Sequence, residues 1–260
     1  MAVANDKQRE PFFVGYFNKI PAPLVPFLAI ACGMFVAGMG LLSFSLATTA
    51  NDPGDGRFVW NRVEMTGIIT TEPYPVLYAP DAETGEPTAF LLSGQGKRGP
   101  GVGRTLEDGM AVLAGGVLLK RGSIDMIQLA GGERGVKPAN GGTGTPPEGF
   151  APPEPVSLGR WRLTGEICDG KCYQGAMRPG RGLAHKACAS LCLIGEIPAV
   201  FVSTGNVEGE EFFLLADKDG KAAPDAIYDL LALTVSLEGE VERRGNLLVF
   251  KADFDTAELL

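Results

Sequence analysis

Part of the second half of this chain answers part of its first half, and this repeat narrows the fold more than any other feature. Met65-Thr66-Gly67-Ile68-Ile69 is matched by Leu163-Thr164-Gly165-Glu166-Ile167, Ala89-Phe90-Leu91-Leu92 by Phe212-Phe213-Leu214-Leu215, and Arg121-Gly122 by Arg244-Gly245. Leu91 and Gly122 are 31 positions apart, and so are Leu214 and Gly245. Equal spacing over that length marks a duplication, so each copy must close the same small fold. The segments VEMTGII and WRLTGEI, AFLL and FFLL, and AVLAGGVLL and LALTVSLEGEV read as short strands. KRGS and RRGN are hairpin turns whose glycine supplies a positive φ. The expected fold is mainly β: two small OB-like barrels, with a β-sandwich as the competing form. The Gly/Pro-rich stretch between them, residues 131–156, reads as a linker, which sets the barrels at residues 51–130 and 157–260.

Ahead of the repeats, no charged residue falls between Lys19 and Asp52, and Leu24 to Ala47 is apolar throughout. At ~1.5 Å per residue this run covers the ~30 Å hydrocarbon core of a bilayer. It is longer than the ~7–15 residues of a signal-peptide core, so an uncleaved anchor over residues 20–50 is expected. Cys32 lies within it as an ordinary thiol. Lys7, Arg9 and Lys19 precede the span, which keeps residues 1–19 in the cytoplasm and exports the barrels. In a Gram-negative cell they would be periplasmic, where disulfides persist. Ala29, Gly33, Ala37 and Gly40 form a small-residue stripe suited to a partner helix, and Phe12, Phe13, Tyr16 and Phe17 an aromatic cluster at the inner interface. The net charge of −8 leaves no basic surface for nucleic acid.

The copies differ at one place. Gly67 and Leu91 are 24 positions apart, whereas Gly165 and Leu214 are 49 apart, so the second copy carries about 25 extra residues. That insert, about residues 168–205, holds Cys168, Cys172, Cys188, Cys192 and His185, which are four of the five cysteines and the only histidine. Its spacing is C-x3-C-x12-H-x2-C-x3-C. A helix around Ala184 to Leu193 would place His185, Cys188 and Cys192 on one face. Cys188 and Cys192 then pair poorly with each other and better with Cys168 and Cys172. The first expectation is therefore two crossed disulfides, 168–192 with 172–188 or 168–188 with 172–192. The alternative is a metal or cofactor site on Cys168, Cys172, His185, Cys188 and Cys192, taking zinc, an Fe–S cluster or haem. Thiol–disulfide exchange ranks third, because it favours C-x2-C on a thioredoxin-like scaffold.

Lys171, Arg178, Arg181 and Lys186 make the insert cationic on an acidic protein, as a docking loop would be. Glu166, Asp169 and Glu196 flank the cysteines as candidate cation ligands. The loop SGQGKRGPGVG, Ser93 to Gly103, lacks the phosphate-loop pattern and reads as a flexible connection. DGKC, GAMRPG and HKACASLC resemble a segment of bacterial membrane-anchored proteins to which no activity is attached, so the resemblance implies an anchored architecture and no chemistry. The combined expectation is a non-enzymatic, single-span accessory or assembly subunit of a membrane complex, with a respiratory or redox complex as the specific form, docking through a stapled loop. Metal or cofactor binding is the competing reading.

Overall fold

The computed structural model of the chain describes residues 20, 22–49, 56–101, 105–139 and 148–260. Lys7, Arg9, Lys19 and the cluster Phe12, Phe13, Tyr16 and Phe17 lie outside the described residues. The chain divides into two compact units, Met1–Asp52 and Pro53–Leu260. In the first, α1 (Leu24–Thr49) is the one described helix long and apolar enough to cross a membrane. Ala29, Gly33, Ala37 and Gly40 are exposed on it.

The second unit is β-rich, and its ten longest strands form two rings. The first ring comprises β1 (Arg57–Thr70), β2 (Val76–Pro80), β3 (Pro87–Ser93), β4 (Ala111–Arg121) and β5 (Ile124–Leu129). Their order is β1-β2-β3-β5-β4, closed by pairing of β4 with β1. A short strand, β6 (Val136–Pro138), extends the edge of β4. The second ring comprises β7 (Val156–Asp169), β8 (Ala199–Val207), β9 (Glu210–Asp217), β10 (Thr234–Arg244) and β11 (Leu247–Leu259), and it closes as a barrel in the corresponding order. Third and fifth strands are parallel in both rings, β3 with β5 and β9 with β11.

The repeated residues occupy equivalent places. Leu91 pairs with Val76 and Met126, and Leu214 pairs with Val200 and Val249. Gly122 and Gly245 make the two hairpin turns with φ of 63° and 67°. At Gly67 a Cβ would come within 2.1 Å of Tyr78 O, and at Gly165 within 2.2 Å of Val202 O. Both glycines let the second strand press onto the first.

The two rings share a core. Val76, Tyr78, Leu91 and Met126 of the first pack in one buried cluster with Val200, Phe212, Leu214 and Val249 of the second. The alternate residues Leu77, Leu92 and Ile127 fill the first ring, and Phe201, Phe213, Leu215 and Phe250 fill the second. These strands bury both faces, which explains why FFLL and LLVF read as unbroken apolar runs rather than as alternation. Each fully buried side chain of this size contributes roughly 1.5–3 kcal/mol, so the shared layer is a substantial part of the fold.

Two expectations are corrected here. The Gly/Pro-rich stretch is structured at its start, with a 3₁₀ turn at Gly132–Arg134 followed by β6, while residues 140–147 lie outside the described ones. The second strand of each ring, β2 or β8, is absent from the strands expected above, and β8 begins inside the segment taken as the insert. Five residues join β1 to β2, whereas 29 join β7 to β8, so the insert ends at Pro198.

Candidate metal centre

Strand alternation sorts the residues where the insert leaves β7. Cys168 points into the shared apolar layer, where its thiol lies 3.2 Å from Glu166 Oε1 and burial pushes it well above the usual thiol range. Its neighbour Asp169 is fully buried with the insert. Asp169 Oδ1 accepts the backbone N–H of Cys172 at 2.8 Å, and Oδ2 lies 2.8 Å from His185 Nε2.

The chain then makes one wide turn over Cys172–Ala176, leaves it with Met177 extended, bends through residues 177–182, and re-enters a helix through a 3₁₀ turn at Leu183–His185. The helix α2 (Lys186–Ile194) buries Ala189 and Cys192, while Cys188 is half-buried. His185, Cys188 and Cys192 thus come from successive turns, and Cys172 faces them from the first turn. Cys172 Sγ lies 3.8 Å from Cys188 Sγ and 3.9 Å from Cys192 Sγ. A ring nitrogen of His185 and the sulfurs of Cys172 and Cys188 lie within 4.8 Å of one another; an Asp169 oxygen and the sulfurs of Cys172 and Cys192 do likewise.

The first ring supplies the other wall. Its loop after β3, read from sequence as a flexible connection, is clamped to the insert at both ends of its described part. Lys171 Nζ donates to Gly94 O at 2.7 Å and Gly96 O at 2.6 Å, and Gly99 N–H donates to Gly195 O. Residues 102–104 of the loop lie outside the described ones. The loop delivers Lys97 Nζ to 2.5 Å from Cys188 Sγ and 3.6 Å from Cys192 Sγ. Met177 Sδ lies 2.9 Å from Cys188 Sγ. A cavity of about 230 Å³ opens onto this group between Phe58, Lys97, Lys171, Cys172, Met177 and Cys192.

Local charges follow from these contacts. Hydrogen bonding to Cys192, together with burial, holds the proton on Cys172, and the same bond lowers the pKa of Cys192. The bond to Cys188 raises the pKa of Lys97. Burial lowers that of Lys171 to about 8. His185 Nδ1 is buried without a hydrogen-bond partner, an expensive arrangement for a polar atom. Nε2 is directed at Asp169, which leaves Nδ1 as the nitrogen available to a ligand. A histidine that is held from behind by a carboxylate and presents its second nitrogen is the usual form of a metal-ligating imidazole.

The crossed disulfides are not formed. All five cysteines are free thiols, and Cys168 faces away from the other three, so no staple involving it is available. Separations of 3.8 and 3.9 Å far exceed the ~2.05 Å of a disulfide bond. They match the ~3.8 Å between two sulfurs each ~2.3 Å from one tetrahedral ion. Of the ligand set read from sequence, Cys168 is turned away, His185 and Cys188 gather with Cys172, and Cys192 gathers with Cys172 and Asp169.

The expected docking loop is also divided. Lys171 is buried, and Lys186 is half-buried with Nζ 3.4 Å from Asp229 O. Arg178 and Arg181 are exposed, although Arg178 also donates to Gly56 O at 2.6 Å. Glu166 Oε1 accepts the Gly182 N–H, and Glu196 is exposed. Sequence reasoning did not single out Lys97 or Met177. Met177 lies within the insert, where a soft-donor search would have found it, whereas nothing local to Lys97 links it to a cysteine 91 residues away.

Compared with protein-family models, with curated proteins and with solved structures, the chain matches none.

Proposed function

We propose that this chain is a membrane-anchored metal-binding protein. On this reading α1 is an uncleaved span and the positive residues Lys7, Arg9 and Lys19 keep its N-terminal side in the cytoplasm. Two OB-type barrels stand outside the cytoplasm, and the five-stranded Greek-key order of both rings supports that assignment. The insert of the second barrel holds a transition-metal ion on Cys172, Cys188, Cys192 and His185. The observation that carries the reading is the buried, unpartnered Nδ1 of a histidine backed by Asp169 and set beside two thiols. Lys97 and Lys171 would offset the charge of the ligating thiolates. Binding rather than catalysis is the role assigned.

The test is elemental analysis of the full chain purified in mild detergent without chelator. About one ion per chain is expected, lost in His185→Ala and Cys172→Ser. A wild-type protein that stays metal-free after incubation with zinc and with reduced copper would overturn the reading.

A second role, as accessory or assembly subunit of a membrane complex, is compatible with the first. It is favoured by the exposed apolar residues Leu183, Leu191 and Ile194 on the insert, which also exposes Arg178 and Arg181. Recovery of the chain from mild detergent with a stoichiometric partner, lost in Leu191→Glu, would support it, and recovery of the chain alone would count against it.

A further inference from the structure

We infer that the insert is built for a soft, thiophilic ion, monovalent copper, with Met177 as the donor that receives it from solvent. This rests on the metal-binding reading above and specifies its cargo.

The argument begins with which donors remain free. Among the described residues Asp169 is the only carboxylate grouped with Cys172 and Cys192, and both its oxygens are engaged, Oδ1 by Cys172 N–H and Oδ2 by His185 Nε2. Its hard oxygens serve to position the ligands. Three thiol sulfurs, one imidazole nitrogen and the thioether of Met177 are then available. Thiolate and thioether sulfur favour Cu(I), and a thioether has little to offer an ion that prefers oxygen. A thioether also carries no proton to displace, so it can bind at any physiological pH.

Position supports the same assignment. Cys172 and Cys192 are buried and His185 is 2 % exposed, so none of them meets an ion first. Met177 is 44 % exposed, yet its sulfur reaches Cys188 and lines the cavity that opens onto Cys172 and Cys192. An ion arriving there passes from an exposed thioether to half-buried Cys188 and then to buried Cys172. A methionine serving only as packing would gain most by burying its side chain, and this one leaves nearly half of it in water.

The experiment uses the reduced full chain in detergent under anaerobic conditions. It is titrated with Cu(I) against a chromophoric Cu(I) chelator and, separately, with Zn²⁺ against a zinc indicator, for the wild type and for Met177→Leu. The expected result is one Cu(I) per chain and a loss of about 10-fold or more in Cu(I) affinity in Met177→Leu, with Zn²⁺ affinity and the far-ultraviolet dichroism unchanged. Equal Cu(I) affinity in the two proteins overturns the copper assignment while leaving the metal-binding reading intact. So would equal weakening of both metals. Failure of the wild type to take up either metal overturns both readings.

Discussion

His185 Nε2 and Asp169 Oδ2 lie 2.8 Å apart with both side chains almost entirely buried, 1 % and 0 % exposed. Asp169 also caps the backbone of Cys172, so one carboxylate fixes two of the proposed ligands. Asp169→Asn keeps the shape and removes the charge that orients the imidazole. Metal affinity should fall about 10–100-fold, the usual cost of losing such a partner. Chelator competition measures it, and an unchanged dissociation constant would remove Asp169 from the site.

Cys168 and Cys172 should behave oppositely. Cys168 packs in the layer shared by the two rings, so Cys168→Ala should keep full metal content and cost about 1–2 kcal/mol of stability through the space it leaves. Cys172→Ala removes the sulfur nearest both neighbours and should abolish metal uptake. If instead the oxidised chain loses four hydrogens in a mass spectrum and Cys168→Ala abolishes one crosslink, the staples expected from sequence exist after all.

The two β-rings were legible because their information is local and repeated. Leu91 and Leu214 keep the same distance to their turn glycines, and they occupy the same place in the two rings. The packing of ring against ring was not legible, because a strand buried on both faces carries no alternation to show which face meets what. For the site, the spacing of His185, Cys188 and Cys192 pointed to a helix, and the structure carries all three on the 3₁₀ turn and α2. Cys168 misled because a count of cysteines ignores the alternation that turns it away from Asp169. Lys97 belongs to the other ring and reaches the site only through tertiary contact, so no spacing argument could find it.

Away from the site, an ion cluster on the second ring should make stability depend on acidity. Glu242 accepts from Lys251 Nζ at 2.7 Å and Arg244 Nη2 at 3.0 Å, and its side chain is only 13 % exposed. Burial tends to raise its pKa, but the combined bonds to Lys251 and Arg244 outweigh this and hold it below the usual value of 4.5. A carboxylate depressed on folding stabilises the fold above its unfolded pKa, and that contribution is lost as pH falls through the folded value. Glu242→Gln should therefore cost about 1–3 kcal/mol at pH ~7 and less near pH ~3. Denaturant melts of the full chain in detergent at the two pH values supply the comparison. A cost that stays constant across them would assign the loss to packing.

The joint between the first ring and the insert rests on Gly195. Its φ of −81° suits any residue, so an alanine there meets no backbone penalty. A Cβ, however, would lie 1.8 Å from Lys97 O, and backbone on both sides leaves nothing flexible to yield. The loop carrying Lys97 must then lift, breaking the Gly99 N–H bond to Gly195 O and drawing the ammonium away from Cys188. Gly195→Ala should lower stability by about 1–3 kcal/mol, the range for overpacking a fitted contact. It should also speed alkylation of Cys188 by a maleimide, because the half-buried sulfur loses its cover. The companion Lys97→Met separates the causes: it removes the ammonium without lifting the loop, so it should change the alkylation rate while leaving the melting temperature near that of the wild type. If Gly195→Ala melts and reacts like the wild type, the loop is not seated on the insert, and Lys97 has no part in the site.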